Sequence, residues 1–76
     1  MPTNTLTVKY NTWLMSLAEK RLEKKRQQLE EIKKKKDAHE ITPAKYSVKK
    51  SRLDQKIRFL DARIRTYRGI IKTASS

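Results

Sequence analysis

Residues 41–46 read Ile-Thr-Pro-Ala-Lys-Tyr and combine a helix-breaking signal with a helix-starting signal. Thr42 and Pro43 suit the N-cap and the first position of a helix, because proline has no N–H to leave unpaired there and its φ already fits. Proline also disfavours a helical conformation for the residue before it, so a preceding helix must end. Ile41 and Tyr46 have the spacing of a hydrophobic staple. The stretch therefore predicts a turn at 41–42 between two helices, and a short connection makes the helices antiparallel.

The residues that follow the turn repeat with the period of a coiled coil, which predicts a second helix over about 43–69. Its seam has a positions at Lys50, Ile57, Ile64 and Ile71 and d positions at Tyr46, Leu53, Leu60 and Tyr67. Gly69 is expected to end or fray this helix, since glycine favours helix C-termini. The hairpin is placed at 12–72, and residues 73–76 are expected to form a tail.

The residues before the turn predict a first helix over about 12–40, with Asn11 as its N-cap. If the helix starts later, Ser16 and Glu19 would form a capping box. Its seam has a positions at Met15, Leu22, Leu29 and Lys36 and d positions at Ala18, Lys25, Ile32 and His39. Residues 1–11 are Thr-rich, and Leu6, Val8 and Tyr10 alternate with polar residues. Since a lone strand would have no pairing partner, we expect an extended or loose N-terminal arm.

The two seams match when the hairpin is closed at the turn and facing residue numbers sum to about 82. Leu22 then meets Leu60 and Ala18 meets Ile64, while Lys36 covers Tyr46 near the turn. On the e flank the facing residues have opposite charge: Lys33–Asp54, Arg26–Asp61 and Glu19–Arg68. The fold class is therefore all-α, an antiparallel two-helix hairpin resembling a coiled coil. Dimerisation of two hairpins into a four-helix bundle is left open.

The opposite, g flank is almost uniformly cationic, in a chain with 20 Lys and Arg, 8 Asp and Glu and a net charge of +12. Such an imbalance favours an anionic partner. Including the neighbouring c positions, we name the following residues the basic ridge and predict that they bind nucleic acid: Arg21, Lys24, Lys35, Lys45, Lys49, Arg52, Lys56 and Arg63. Helical charge runs are often merely solvated faces, but the segregation of sign by flank favours a binding surface.

Several large apolar residues lie off the seam, and a protein interface is predicted at Trp13, Leu14, Leu17, Phe59 and Ile70. Three roles are open for them: the N-terminal arm folds over them, a second copy packs against them, or a larger partner docks there. Aromatic stacking on nucleic-acid bases is a further alternative, although packing is the commoner role of such side chains.

The sequence offers no constellation for catalysis or metal binding. It has no cysteine and one histidine, His39 beside the turn, so no thiolate or histidine metal site can be assembled. No glycine-rich phosphate loop and no nucleophile–base pair is found. We therefore expect a non-enzyme with no cofactor, no metal and no small-molecule substrate.

The expected location is the cytoplasm, with association to a nucleoid, ribosome or virion left open. No apolar run approaches the ~20 residues of a membrane helix, the first residues lack an apolar signal core, and the absence of cysteine suits a reducing compartment. The sequence favours a nucleic-acid-binding protein that contacts the phosphate backbone of DNA or RNA. The alternative is a structural or interaction protein, such as a viral or phage assembly factor, that docks on an acidic protein surface.

Overall fold

The computed structural model describes residues 5–75, which form two long helices joined by a short loop. The first helix, α1, spans Thr5–Asp37, and the second, α2, spans Pro43–Ser75. The helices pack against each other along a molecule measuring 58 × 14 × 12 Å. The predicted all-α helical hairpin is therefore confirmed.

The start of α2 is the part of the structure that its local sequence specifies best. Pro43 is its first residue, and the backbone N–H of Lys45 donates a 3.2 Å hydrogen bond to Oγ1 of Thr42. Thr42 is thus the N-cap, as its position before proline indicates. Ile41 and Tyr46, the predicted staple, are both half-buried.

The end of α1 differs from the prediction, since the helix stops at Asp37 rather than near residue 40. His39 has a φ of 60°; its N–H donates to the carbonyl of Lys36 at 3.0 Å, and the N–H of Glu40 donates to that of Lys35 at 2.8 Å. This pair of bonds around a left-handed residue is a Schellman motif. Because glycine usually holds that position, a histidine there gave no signal of the helix end.

The core lies where the two seams face each other, and the predicted pairing is confirmed. Four hydrophobic side chains are buried in one cluster, Ala18 and Leu22 from α1 with Leu60 and Ile64 from α2, and Met15, Ile57 and Tyr67 pack against it. Near the turn, Nζ of Lys36 lies 4.7 Å from the ring centroid of Tyr46. The contacts in the core and the contact near the turn together fix the antiparallel register. The core is thin, because none of the described side chains falls below 2 % exposure.

The N-terminal prediction is wrong over residues 5–11, which belong to α1; residues 1–4 of the predicted arm lie outside the described part. Asn11 is not an N-cap. It continues the seam as a buried d position, 8 % exposed, and its Nδ2 donates a 2.8 Å hydrogen bond to the carbonyl of Thr7. Val8 continues the seam as an a position and is half-buried. The helix extends because these positions find packing surface on the far end of α2.

That far end is helical as well, so Gly69 does not terminate α2, and the predicted tail is helical as far as Ser75. Ile71 and Ala74 supply the next a and d positions and are half-buried. Packing of this added turn against the start of α1 offsets the intrinsic cost of glycine, which is roughly 1 kcal/mol in a helix.

The three predicted ion pairs of the e flank are not formed. Within residues 5–75, no lysine or arginine nitrogen lies within 4.0 Å of a carboxylate oxygen. Asp54 and Asp61 are half-buried at the edge of the seam, as e positions should be, whereas their expected partners Lys33 and Arg26 are exposed. The register is therefore held by the apolar seam, which agrees with the small energies of exposed ion pairs.

Candidate nucleic-acid interface

A cation-lined groove runs between the two helices on the g flank, in the half of the molecule nearest the loop. Its walls are formed by four residues of each helix: Gln28, Glu31, Ile32 and Lys35 from α1, and Lys49, Arg52, Leu53 and Lys56 from α2. The half-buried seam residues Ile32 and Leu53 form its apolar floor, while the charged residues are exposed. The groove encloses about 280 Å³, slightly below the range typical of small-molecule pockets.

The groove gathers four of the eight residues of the basic ridge, one from α1 and three from α2. Lys35 and Lys49 lie on it together, as do Gln28 and Lys56. Each pair consists of g positions that the register of the hairpin places opposite each other. Lys45 lies beside it, in a shallow depression of α2 that shares Lys49 and Arg52 with the groove. The loop half of the ridge is therefore one continuous cationic surface.

The remaining members of the basic ridge do not line this groove. Arg21 and Lys24 border a separate depression on α1 that also includes Glu23. Arg63 borders a depression formed by α2 alone, and its guanidinium carbon lies 5.3 Å from the ring centroid of Phe59. Arg21 and Arg63, which the register of the hairpin places opposite each other, thus border different depressions.

The electrostatic character of the groove follows from the separation of acids and bases around the hairpin. Of the 8 acidic residues in the sequence, only Glu31 lines the groove. The others occupy b or e positions or the loop: Glu19, Glu23, Glu30, Asp37, Glu40, Asp54 and Asp61. All eight ridge side chains are exposed, and none of them is neutralised by an ion pair. The groove therefore has a strong positive potential that is available to a solvent anion.

The residues predicted as a protein interface fall into two places rather than one. Trp13 and Ile70 are 58 % and 39 % exposed, and Leu14 and Leu17 are half-buried, all toward the open end of the hairpin. Phe59, 62 % exposed, lies instead within the stripe of the basic ridge, next to Arg63.

Two exposed apolar residues at the open end were missed as interface candidates, Leu6 at 81 % and Tyr10 at 60 % exposure. Their alternation with Val8 suggested an extended arm. The spacings of 4 and 3 residues from Leu6 to Tyr10 and from Tyr10 to Trp13 would instead have placed them on one face of a helix.

Neither helix within the described residues is long and apolar enough to cross a membrane. Across the same part of the chain, no group of three His, Cys, Asp or Glu side chains could hold a metal ion.

No protein-family model, no curated protein and no solved structure matches the chain.

Proposed function

We propose that this protein is a non-enzymatic nucleic-acid-binding protein that contacts the phosphate backbone of DNA or RNA through the basic ridge. One observation carries the proposal: Lys35 from α1 and Lys49, Arg52 and Lys56 from α2 converge on a single groove. Like charges brought together by the fold repel one another, so their concentration on one flank has a ready explanation in an anionic partner.

The dimensions of the ridge suit a polyanion better than a single small anion. Along α2, Lys45, Lys49, Arg52, Lys56 and Arg63 follow one line for about 27 Å at 1.5 Å per residue. Phosphates along a nucleic-acid strand recur at comparable spacing, and each phosphate neutralised by the protein releases condensed counterions. Arg52 and Arg63 add the planar fork that pairs with two phosphate oxygens.

The chemistry of the groove favours recognition of the backbone over recognition of sequence. Side chains that read base edges are chiefly Arg, Asn and Gln in bidentate contacts, and Gln28 is the one amide on the groove wall. The other polar residues there are Glu31 and four cations that suit phosphate, three lysines and Arg52. Binding should therefore be strong at low salt and tolerant of sequence.

The proposal is tested by fluorescence anisotropy with labelled duplex DNA, duplex RNA and single strands, titrated from about 50 to 300 mM salt. Contact with about five phosphates predicts that log K falls against log salt with a slope of about −4.5 for duplex DNA. Absence of binding to every one of these probes at about 50 mM salt would contradict the proposal.

An acidic protein surface is the alternative partner of the basic ridge, and the exposed apolar side chains at the open end favour an interaction protein of this kind. Under that alternative, nucleic acids bind weakly even at low salt. An acidic polypeptide such as poly-glutamate would then compete as well as DNA at equal charge. Nucleic-acid binding that withstands such competition favours the proposed function.

A further inference from the structure

A second apolar stripe runs along α1 on the side turned away from the seam with α2. Leu6, Tyr10, Trp13 and Leu17 recur at spacings of 4, 3 and 4 residues, the pattern of a coiled-coil seam. In the heptad of α1 they occupy f and c positions, which the hairpin itself leaves unpaired. We name these four residues the outer seam.

The outer seam is open to solvent over most of its length. Leu6, Tyr10 and Trp13 are 81 %, 60 % and 58 % exposed, and the ring centroids of Tyr10 and Trp13 lie 6.4 Å apart. Leu14 and Ile70 extend the apolar surface toward α2. Side chains of this size present roughly 500 Å² of apolar area per chain. Each partner in a standard interface contributes ~800 Å², somewhat more than half of it apolar.

The thin core makes further burial valuable to this chain. Among residues 5–75, four hydrophobic side chains are buried, and none is fully enclosed. A domain of this length buries a small share of its surface, and small helical proteins commonly compensate by oligomerising.

The outer seam is complementary to itself when two copies run antiparallel. A two-fold axis between Tyr10 and Trp13 sets Tyr10 of each copy against Trp13 of the other. The same axis sets Leu6 against Leu17, so four apolar pairs form from one surface. Such self-complementarity is what a two-fold symmetric interface requires.

Charge limits how far the two copies can overlap. The next positions of the same stripe toward the loop are Lys20 and Lys24, so a longer overlap would bury unpaired ammonium groups. A parallel arrangement would place one basic ridge beside the other. Overlap of the open ends alone keeps both ridges apart and in solvent.

We propose that two copies of this chain associate antiparallel through the outer seam, overlapping at their open ends with the two loops pointing in opposite directions. Since each hairpin is 58 Å long, the dimer is about 100 Å long at 1.5 Å per overlapping residue. It presents one basic ridge toward each end. The association needs no nucleic acid, so it is independent of the proposed function.

The first test is made on nuclease-treated protein at about 0.3 M salt, where repulsion between the copies is screened. Light scattering should give twice the chain mass of 9.0 kDa, and small-angle X-ray scattering should give a maximum dimension near 100 Å rather than 58 Å. Trp13 is the one tryptophan, so its emission should shift to the blue as concentration rises. A monomer at about 100 µM, a concentration at which a standard interface is occupied, or a dimer only about 60 Å long, would overturn the proposal.

The second test weakens the outer seam and then restores it. Tyr10→Ser with Trp13→Ser should raise the dimer Kd at least about 100-fold, since buried aromatic residues dominate interface energies. The control Val48→Ser, which removes an apolar residue of α2 that is 52 % exposed, should leave the Kd unchanged. A serine variant that dimerises like the wild type would overturn the proposal.

Restoration uses two separate chains, one with Tyr10→Glu and one with Trp13→Lys. Each should be monomeric alone, while the equimolar mixture should dimerise, because the new charges face each other across the two-fold axis. This comparison tests the antiparallel pairing of Tyr10 with Trp13 even if the serine variant loses helicity. A mixture that stays monomeric would count against the antiparallel pairing.

Discussion

His39 is the described non-glycine residue with positive φ, at 60°, in the C-terminal cap of α1. The left-handed conformation costs an L-residue about 1–2 kcal/mol. Glycine avoids that cost, but the greater freedom of its unfolded chain cancels part of the gain in stability. His39→Gly should therefore raise the free energy of unfolding by about 0.5–1 kcal/mol, measured by urea denaturation. Ala38→Gly is the control and should lower stability, because the left-handed position is not at residue 38. A loss of stability in His39→Gly would contradict the cap described above.

Asn11 places a polar amide at a seam position that a hydrophobic residue could fill. Its Nδ2 is satisfied by the carbonyl of Thr7 at 2.8 Å, yet a polar d position lowers stability in coiled coils. Asn11→Leu should stabilise the hairpin by about 1 kcal/mol, read from the midpoint of thermal unfolding. Thr12→Leu, on the neighbouring exposed position, should change little. Equal gains from both would mean that Asn11 is not part of the seam.

At the scale of the helices, Gly69 tests whether packing or intrinsic propensity sets the length of α2. Nothing lies within 4 Å of a Cβ built on Gly69, and its φ is not positive. Gly69→Ala should stabilise the protein by about 0.5–1 kcal/mol, the ordinary difference between these residues in a helix. The measurement is the urea midpoint together with helical circular dichroism. A destabilised variant would indicate that the helix ends near residue 69, as the sequence alone suggested.

The sequence predicted the interior of both helices and the start of α2, but not the other helix ends. Thr42 and Pro43 carry a capping signal in their own chemistry, and the a and d residues repeat at a fixed period. The cap at His39 depends on a left-handed backbone conformation, which a histidine in the sequence does not predict. Asn11 and Gly69 are helical because the far ends of the helices pack on each other, and that long-range contact is invisible to local propensity.

For the whole hairpin, stability should depend heavily on very few side chains. Leu60 is 7 % exposed and belongs to the four-residue core. Leu60→Ala should cost about 2–3 kcal/mol, at the lower end for buried leucines because the core is shallow. The total for a domain of this length is only about 4–11 kcal/mol. Val48→Ala, at an exposed position, should change the urea midpoint little; a similar small effect at Leu60 would contradict the proposed core.

The candidate site was predictable to the extent that it follows from the heptad. Once a and d are assigned, the g and c positions place Lys35, Lys49 and Lys56 on one flank, and the structure brings them to one groove. That Arg21 and Arg63 border different depressions was not predictable, because it depends on the conformations of their side chains. By contrast, the contact of Arg63 with Phe59 follows from the helical period, since the two residues are four positions apart in α2.

Whether the basic ridge binds nucleic acid is tested by two triple charge reversals with the same change in net charge. Lys49→Glu, Lys56→Glu and Arg63→Glu alter the basic ridge, whereas Arg58→Glu, Arg65→Glu and Lys72→Glu alter the exposed outer b face of the same helix. Binding of duplex DNA and RNA is measured for both at several salt concentrations. The ridge variant should lose affinity by about 100-fold or more and reduce the salt slope by about three, while the outer variant keeps most of both. Equal losses from the two variants would show that binding follows net charge alone and would contradict the assignment of the basic ridge.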